Sequence, residues 1–203
     1  MITQKYNKEI FPLFIILFAG FLHSTEQKVY RVPIQGVIDL GLPTFIERVI
    51  QEAENDQVEV IIFDIDTFGG RVDAATQIKD AILDSDVPTV AFINRRAISA
   101  GALISLSCET IYMTGGGTIG AATAVDMSGN KASEKVISYM REEMASTAES
   151  RDRNTVIAKC MVDEELSFTH VVIDGDSVEV TDLEGRKEAV SYTHLTLPTI
   201  CSV

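Results

Sequence analysis

The chain has 203 residues, 46% of them hydrophobic and 23% charged, which suits one globular α/β domain with small appendages. A net charge of −13 without any basic stripe excludes a nucleic-acid backbone as partner. Cys108, Cys160 and Cys201 show neither CxxC spacing nor a histidine cluster, so no zinc site, no disulfide framework and no cofactor are expected, and Cys108, which follows an apolar run, reads as a buried thiol.

At the amino end Lys5 and Lys8 precede an uncharged apolar stretch, residues 10–22. It is shorter than the roughly 20 residues a membrane span needs and fits the core of a secretory signal, so residues 1–27 are expected to be a signal peptide or membrane anchor. Short strands are expected at residues 29–34 and 37–40, around Gly36. The spacing of Leu42, Phe45, Ile46, Val49, Ile50 and Ala53 then puts one apolar stripe on a helix ending near Asn55. Residues 58–65 form an apolar run of the kind expected for a parallel strand covered on both faces, stopping at Asp66-Thr67-Phe68-Gly69-Gly70.

A helix over residues 72–83 carries Val72, Ala75, Ile78 and Ile82 on one face, and Pro88 starts a strand over residues 89–93. Ser99-Ala100-Gly101 opens a third helix, and residues 109–113 read as a strand. Gly115-Gly116-Gly117 marks a turn and residues 125–132 a loop. Ser133 is placed to cap a helix whose apolar face is Val136, Ile137, Met140, Met144 and Ala148, with Lys135 in its first turn. A short helix near residues 156–161 and a hairpin pairing residues 171–173 with 178–180 complete the pattern. Residues 191–203 carry no charge and break register with what precedes them; they read as a non-native tail, leaving residues 28–190 as the domain.

The strand-to-helix turn at Ser99 is where chemistry is expected. A serine there is either an ordinary helix cap or a nucleophile at the positive end of a helix, with free N–H groups beside it. A serine nucleophile needs a base, and a lysine serves only when its amine is neutral, which burial and positive potential promote. Lys135, at a helix amino terminus beside Val136 and Ile137, is expected to be shielded enough for that role. Lys131 is the competitor, though Gly129, Asn130 and Ala132 suggest a solvated loop, and a plain surface lysine is the alternative for both. Gly69-Gly70, one βα unit upstream, supplies a turn without Cβ atoms, so Gly70 and Ala100 are the candidate oxyanion-hole donors. His23, His170 and His194 are scattered, and a Ser-His-Asp triad would have to recruit His170.

Asp66-Thr67-x-Gly69-Gly70, Ala97-x-Ser99-Ala100-Gly101, Gly117-x-x-Gly120-Ala121-Ala122, Lys135 and Arg153-Asn154 together resemble the NfeD-type membrane-bound serine proteases, of the ClpP class within the ClpP/crotonase fold. The resemblance covers about residues 28–180. It implies a ClpP/crotonase-like α/β domain with mainly parallel strands, a Ser99–Lys135 dyad and a homodimer or higher homo-oligomer. It also implies a membrane-associated endopeptidase on the exported side that cleaves apolar segments of stomatin-like membrane proteins. Phe68 stands where the family usually has proline, and long members continue into membrane spans and a small β-barrel domain. Two other readings compete. The apolar strand ending in Asp64-Ile65-Asp66-Thr67 is similar to the DxDxT start of a Mg²⁺-dependent phosphatase site, with Asp64 as nucleophile, Asp66 as acid and Asp174 and Asp176 on the metal; or the domain is an idle scaffold for stomatin-like proteins.

Overall fold

A computed structural model describes residues 28–125, 128–163, 166, 169–173 and 176–180, the last two runs as backbone only. The expected leader and tail lie outside the described residues. In chain order the elements are β1 (Val29–Ile38), α1 (Gly41–Asn55), β2 (Val60–Gly70), α2 (Val72–Leu83), β3 (Thr89–Ile98), α3 (Ala100–Ser107), β4 (Thr110–Met113), β5 (Thr118–Gly120), α4 (Glu134–Glu149), α5 (Thr155–Cys160), β6 (Thr169–Ile173) and β7 (Asp176–Val180). Strands β1, β2, β3 and β4 lie side by side in that order, all parallel. Strand β5 pairs with the far end of β3, at Arg96 to Ile98, beyond the part that β4 occupies. The expected α/β domain with mainly parallel strands and flanking helices is present, and β6 and β7 form the expected antiparallel hairpin.

Strands that follow one another in both sequence and sheet, joined by crossovers of one hand, place their helices on one face. Burial follows that rule. Ile61, Phe63, Ile65, Ala91 and Ile93 are fully buried under the helices, where Ile46, Ile78, Ile82, Leu103, Ile104 and Met144 join them. On the other face Val60, Ile62, Val90 and Phe92 are only half-buried, and Tyr112 is 61% exposed. The expectation that β2 is covered on both faces is therefore corrected: among the described residues only one face carries helices.

Three strands differ from expectation in extent. The two short strands around Gly36 are one strand, because Gly36 takes a positive φ of 78° and a register shift between Gln35 and Val37 carries the pairing past it. That continuation gives β2 partners as far as Gly70, through Val37 beside Gly69 and Ile38 beside Gly70. Likewise β3 runs on to Ile98 because β5, read in the sequence only as the sequel to a turn, pairs with it. Ser133 occupies the cap position of α4 but its hydroxyl makes no capping bond, whereas Asn154 caps α5 by accepting from the N–H groups of Val156 and Ile157.

The one-sided core makes a prediction for urea unfolding. Ile104→Ala, at 0% exposure, is expected to cost about 2–5 kcal/mol, and Tyr112→Ala, on the uncovered face, less than about 1 kcal/mol. Equal losses would mean that both faces are packed.

Candidate active site

Strand β3 passes into α3 through Ser99, whose backbone lies at φ 55°, ψ −117°. That conformation is open to glycine and costs a side-chain-bearing residue about 1–3 kcal/mol, so the surroundings must impose it. They do so from three sides. The Ser99 N–H donates to Gly120 O at 2.9 Å, and the Ser99 carbonyl accepts from Ala102 at 2.9 Å. The backbone of Gly69 presses against it: a Cβ on Gly69 would lie 2.7 Å from Ser99 Cβ, 2.9 Å from Ile98 O and 3.1 Å from Ala100 N. The ordinary-cap explanation of Ser99 fails, since its hydroxyl caps nothing and has no hydrogen-bond partner among the described residues. A half-exposed serine hydroxyl at the amino end of a fully buried helix is thus held in a strained turn and left free.

Gly70 lies at the same end of the sheet. A Cβ there would come within 2.2 Å of Ile38 O, so only glycine fits between β1 and the turn. The Arg71 N–H donates to Ile38 O at 2.8 Å, and the alternation of an extended strand turns the preceding N–H, that of Gly70, toward the Ser99 side. Register pairing of β2 with β3 ends at Thr67 and Ala97, leaving Gly70 beyond the ladder. At the start of α3 the Ala100 N–H belongs to the first turn, whose donors have no intrahelical acceptor. The structure therefore brings Gly69, Gly70, Ser99 and Ala100 to one edge.

Thr67 was not singled out as a functional residue from the sequence, yet it shapes this edge. Its hydroxyl donates to Gly36 O at the bulge and accepts from the Gly69 N–H at 2.9 Å, while its methyl sits where a Cβ on Gly101 would be, 2.6 Å away. At 1% exposure it joins β1, the glycine turn and α3. The available signal is a threonine two residues before a glycine pair at the end of an apolar strand. Phe68, in the place of a proline, is 72% exposed with the Arg96 guanidinium 4.4 Å from its ring centre, so the turn takes its shape from Thr67 rather than from residue 68.

The lysines stand differently from expectation. Lys135 is in the first turn of α4, as read, but it is exposed; Ile137 is buried and Val136 is 40% exposed, so the expected shielding is absent from this conformation. Helix α4 buries the stripe of Ile137, Met140 and Met144, which turns Lys135 outward. Neither Lys135 nor Lys131 has an ion-pair partner among the described residues, and neither is bonded to Ser99. Lys131 lies in the loop, bridged through its backbone to Val125. Tyr139, one turn on from Lys135 along α4, lines an open groove with Arg71, Val72, Asp73, Thr76 and Gln77, which begins next to Gly70. Helix α4 is tied to α2 by Lys79, whose amine lies 2.7 Å from Glu143.

Asp64 and Asp66 already serve as ion-pair partners, Asp64 with Arg31 and Asp66 with Arg96 at 3.0 Å. Asp174 lies outside the described residues, as does the side chain of Asp176. Among the described residues no group of three or more His, Cys, Asp or Glu could hold a metal ion, and no helix is long and apolar enough to cross a membrane. Cys108 is fully buried, and burial pushes its thiol up to about 12.

Fold and site together define an α/β domain of mainly parallel strands and flanking helices with a serine at a strained strand-to-helix turn. The model of the NfeD1b N-terminal domain matches residues 28–200, and the chain belongs to that family. It is 38% identical over 148 residues to membrane protein NfeD1b of Bacillus subtilis, covering 73% of this chain and 34% of that one. It is also 30% identical over 168 residues to the membrane-bound protease PH1510 of Pyrococcus horikoshii, covering 79% and 38%. The chain thus spans little more than a third of the length of these curated relatives. Among solved structures it resembles a lysine-to-alanine variant of the 1510-N membrane-bound stomatin-specific protease in complex with a substrate peptide, with 28% identity, a TM-score of 0.65 and coverage of 83% and 73%. A serine-to-alanine variant of that protease gives a TM-score of 0.63 with coverage of 82% and 76%.

Two results are expected from this geometry. Gly69→Ala places a methyl group against Ser99 and strains a φ of 101°, so it should lower stability by more than about 1 kcal/mol and displace the serine; an unchanged urea midpoint contradicts the close approach. Because the raised value keeps Cys108 as thiol, iodoacetamide at pH 8 should spare it in the folded chain and alkylate it once unfolding returns it to an ordinary thiol near 9.0, as read by peptide mass spectrometry.

Proposed function

We propose that the domain is a serine endopeptidase: Ser99 attacks the scissile carbonyl, Lys135 accepts its proton, and the N–H groups of Gly70 and Ala100 hold the oxyanion. The observation that carries this reading is Ser99 itself, strained, uncapping and unbonded at the amino end of a buried helix. Strain of that kind is retained where it orients a reacting group. Lys135 is assigned over Lys131 because Tyr139, one turn on along its helix, lines the groove that begins beside Gly70; that serine and lysine variants were made of the similar stomatin-specific protease is in keeping with a serine and a lysine as the reacting groups.

Lys135 is solvated without substrate, so its amine becomes a base when an apolar segment lies over the first turn of α4 and excludes water. This links the base to the substrate class: apolar stretches of membrane proteins, with stomatin-like proteins as the partners that the relatives suggest. The domain then works at a membrane, on the exported side, as a homodimer or higher homo-oligomer. No cofactor or metal takes part.

Ser99→Ala is expected to lower cleavage of an apolar peptide by at least about 10³-fold with the melting temperature nearly unchanged. Lys135→Ala should match it, and Lys131→Ala should stay close to wild type. Activity should rise with pH as the base loses its proton and should be indifferent to chelators. An active Ser99→Ala chain, or chelator-sensitive release of phosphate that Asp64→Asn abolishes, would overturn the assignment.

A further inference from the structure

All eight residues of α3 are buried, so the carbonyl groups at its carboxyl end have no water to accept from. Its own serines bond within the helix, Ser105 to Gly101 O and Ser107 to Ile104 O. The last carbonyls are taken by two arginines from the segment between α4 and α5. Arg153 donates to Leu106 O at 2.8 Å, Cys108 O at 2.8 Å and Glu109 O at 2.9 Å. Arg151 donates to Ser107 O at 2.8 Å and reaches Ile82 O at 3.3 Å. Neither has a carboxylate partner among the described residues. Two guanidinium groups, Arg153 being half-buried, are therefore devoted to backbone carbonyls, a fork that lysine cannot reproduce.

The same segment reaches the other end of α3. Met161 O, just past α5, accepts from Ala122 N at 2.7 Å, and Val162 O accepts from the Thr123 hydroxyl at 2.8 Å. The Met161 side chain packs on Gly120, whose carbonyl holds the Ser99 N–H. Helix α3 is thereby gripped at both ends by one stretch of chain that continues from the helix bearing Lys135.

We propose that Arg153, assisted by Arg151, is a positioning residue for Ser99: by fixing the carboxyl end of α3, it sets the axial position at which the first turn holds the serine in its strained geometry. This rests on the reading of Ser99 as nucleophile. The full chain is treated with a fluorophosphonate probe as wild type, Arg153→Lys and Arg153→Ala, reading the maximal labelling rate and the half-saturating probe concentration. Arg153→Lys should fold cooperatively and label Ser99 at least about tenfold more slowly, with half-saturation within about twofold of wild type. Guanidinium ion at tens of millimolar, but not sodium chloride, should restore labelling of Arg153→Ala. Wild-type labelling rates in Arg153→Lys, or losses that only track the unfolded fraction and resist guanidinium, would overturn the inference. A wild type that does not label would instead overturn the nucleophile reading. Hydrogen exchange at residues 99–102 then decides the positioning role: faster exchange in Arg153→Lys supports it and unchanged exchange refutes it.

Discussion

The contact between the Gly69 backbone and Ser99 is the constraint on which the rest of the site depends. A serine at φ 55° relaxes unless its neighbours forbid it, and the 2.7 Å separation between Ser99 Cβ and a Cβ built on Gly69 shows how little room there is. Keeping Gly69 there requires β2 to stay paired past its natural stop, which the bulge at Gly36 permits. It also requires Thr67 to tie the bulge to the turn. From the other side Gly120 holds the Ser99 N–H, and β5 places Gly120 by pairing with the end of β3. Sheet register thus controls the backbone of one residue.

The helix behind Ser99 is buried throughout, with its two serine hydroxyls bonded to its own carbonyls, so its position is set by packing and by what caps its ends. Packing comes from α2, α4 and the sheet, with Met144, Ile104 and Leu103 fully buried among them. A helix so enclosed cannot shift without opening the core, which is the kind of rigidity an oxyanion site needs. The uncovered sheet face contributes little to this. Its Arg31–Asp64 and Arg96–Asp66 pairs are arranged beside half-buried Val, Ile and Phe, away from the core that fixes the serine.

Much of this was readable in the residues. Helical periodicity located α2 at its observed bounds, because apolar spacing and the Pro88 stop agreed, and the end of α1 near Asn55 was read the same way. The turn carrying Ser99 was legible because an apolar strand, polar residues and a longer apolar run occur in that order. Strand lengths were less legible, since β1, β2 and β3 are extended by partners from distant sequence that no local pattern encodes. The sidedness of β2 was written as alternation, Ile61, Phe63 and Ile65 against Ile62, Asp64 and Asp66, but the apolar majority masked it. Lys135 was placed on its helix correctly and its environment was not, because whether a first-turn lysine is covered depends on tertiary neighbours. Thr67 and Arg153 act through backbone carbonyls or amides, contacts that residue type alone does not reveal.

The most direct measurement is a crystal structure of the full chain after reaction with a peptidyl phosphonate carrying an apolar sequence. Phosphorus is expected to be bonded to Ser99 Oγ, with its oxygen within about 2.7–3.1 Å of the Gly70 and Ala100 nitrogens. The Lys135 amine is expected to be drawn into hydrogen-bond reach of Ser99 Oγ under the apolar segment. An unmodified Ser99, a phosphonyl oxygen turned away from both glycine turn and helix, or Lys131 in the place of Lys135 would contradict it.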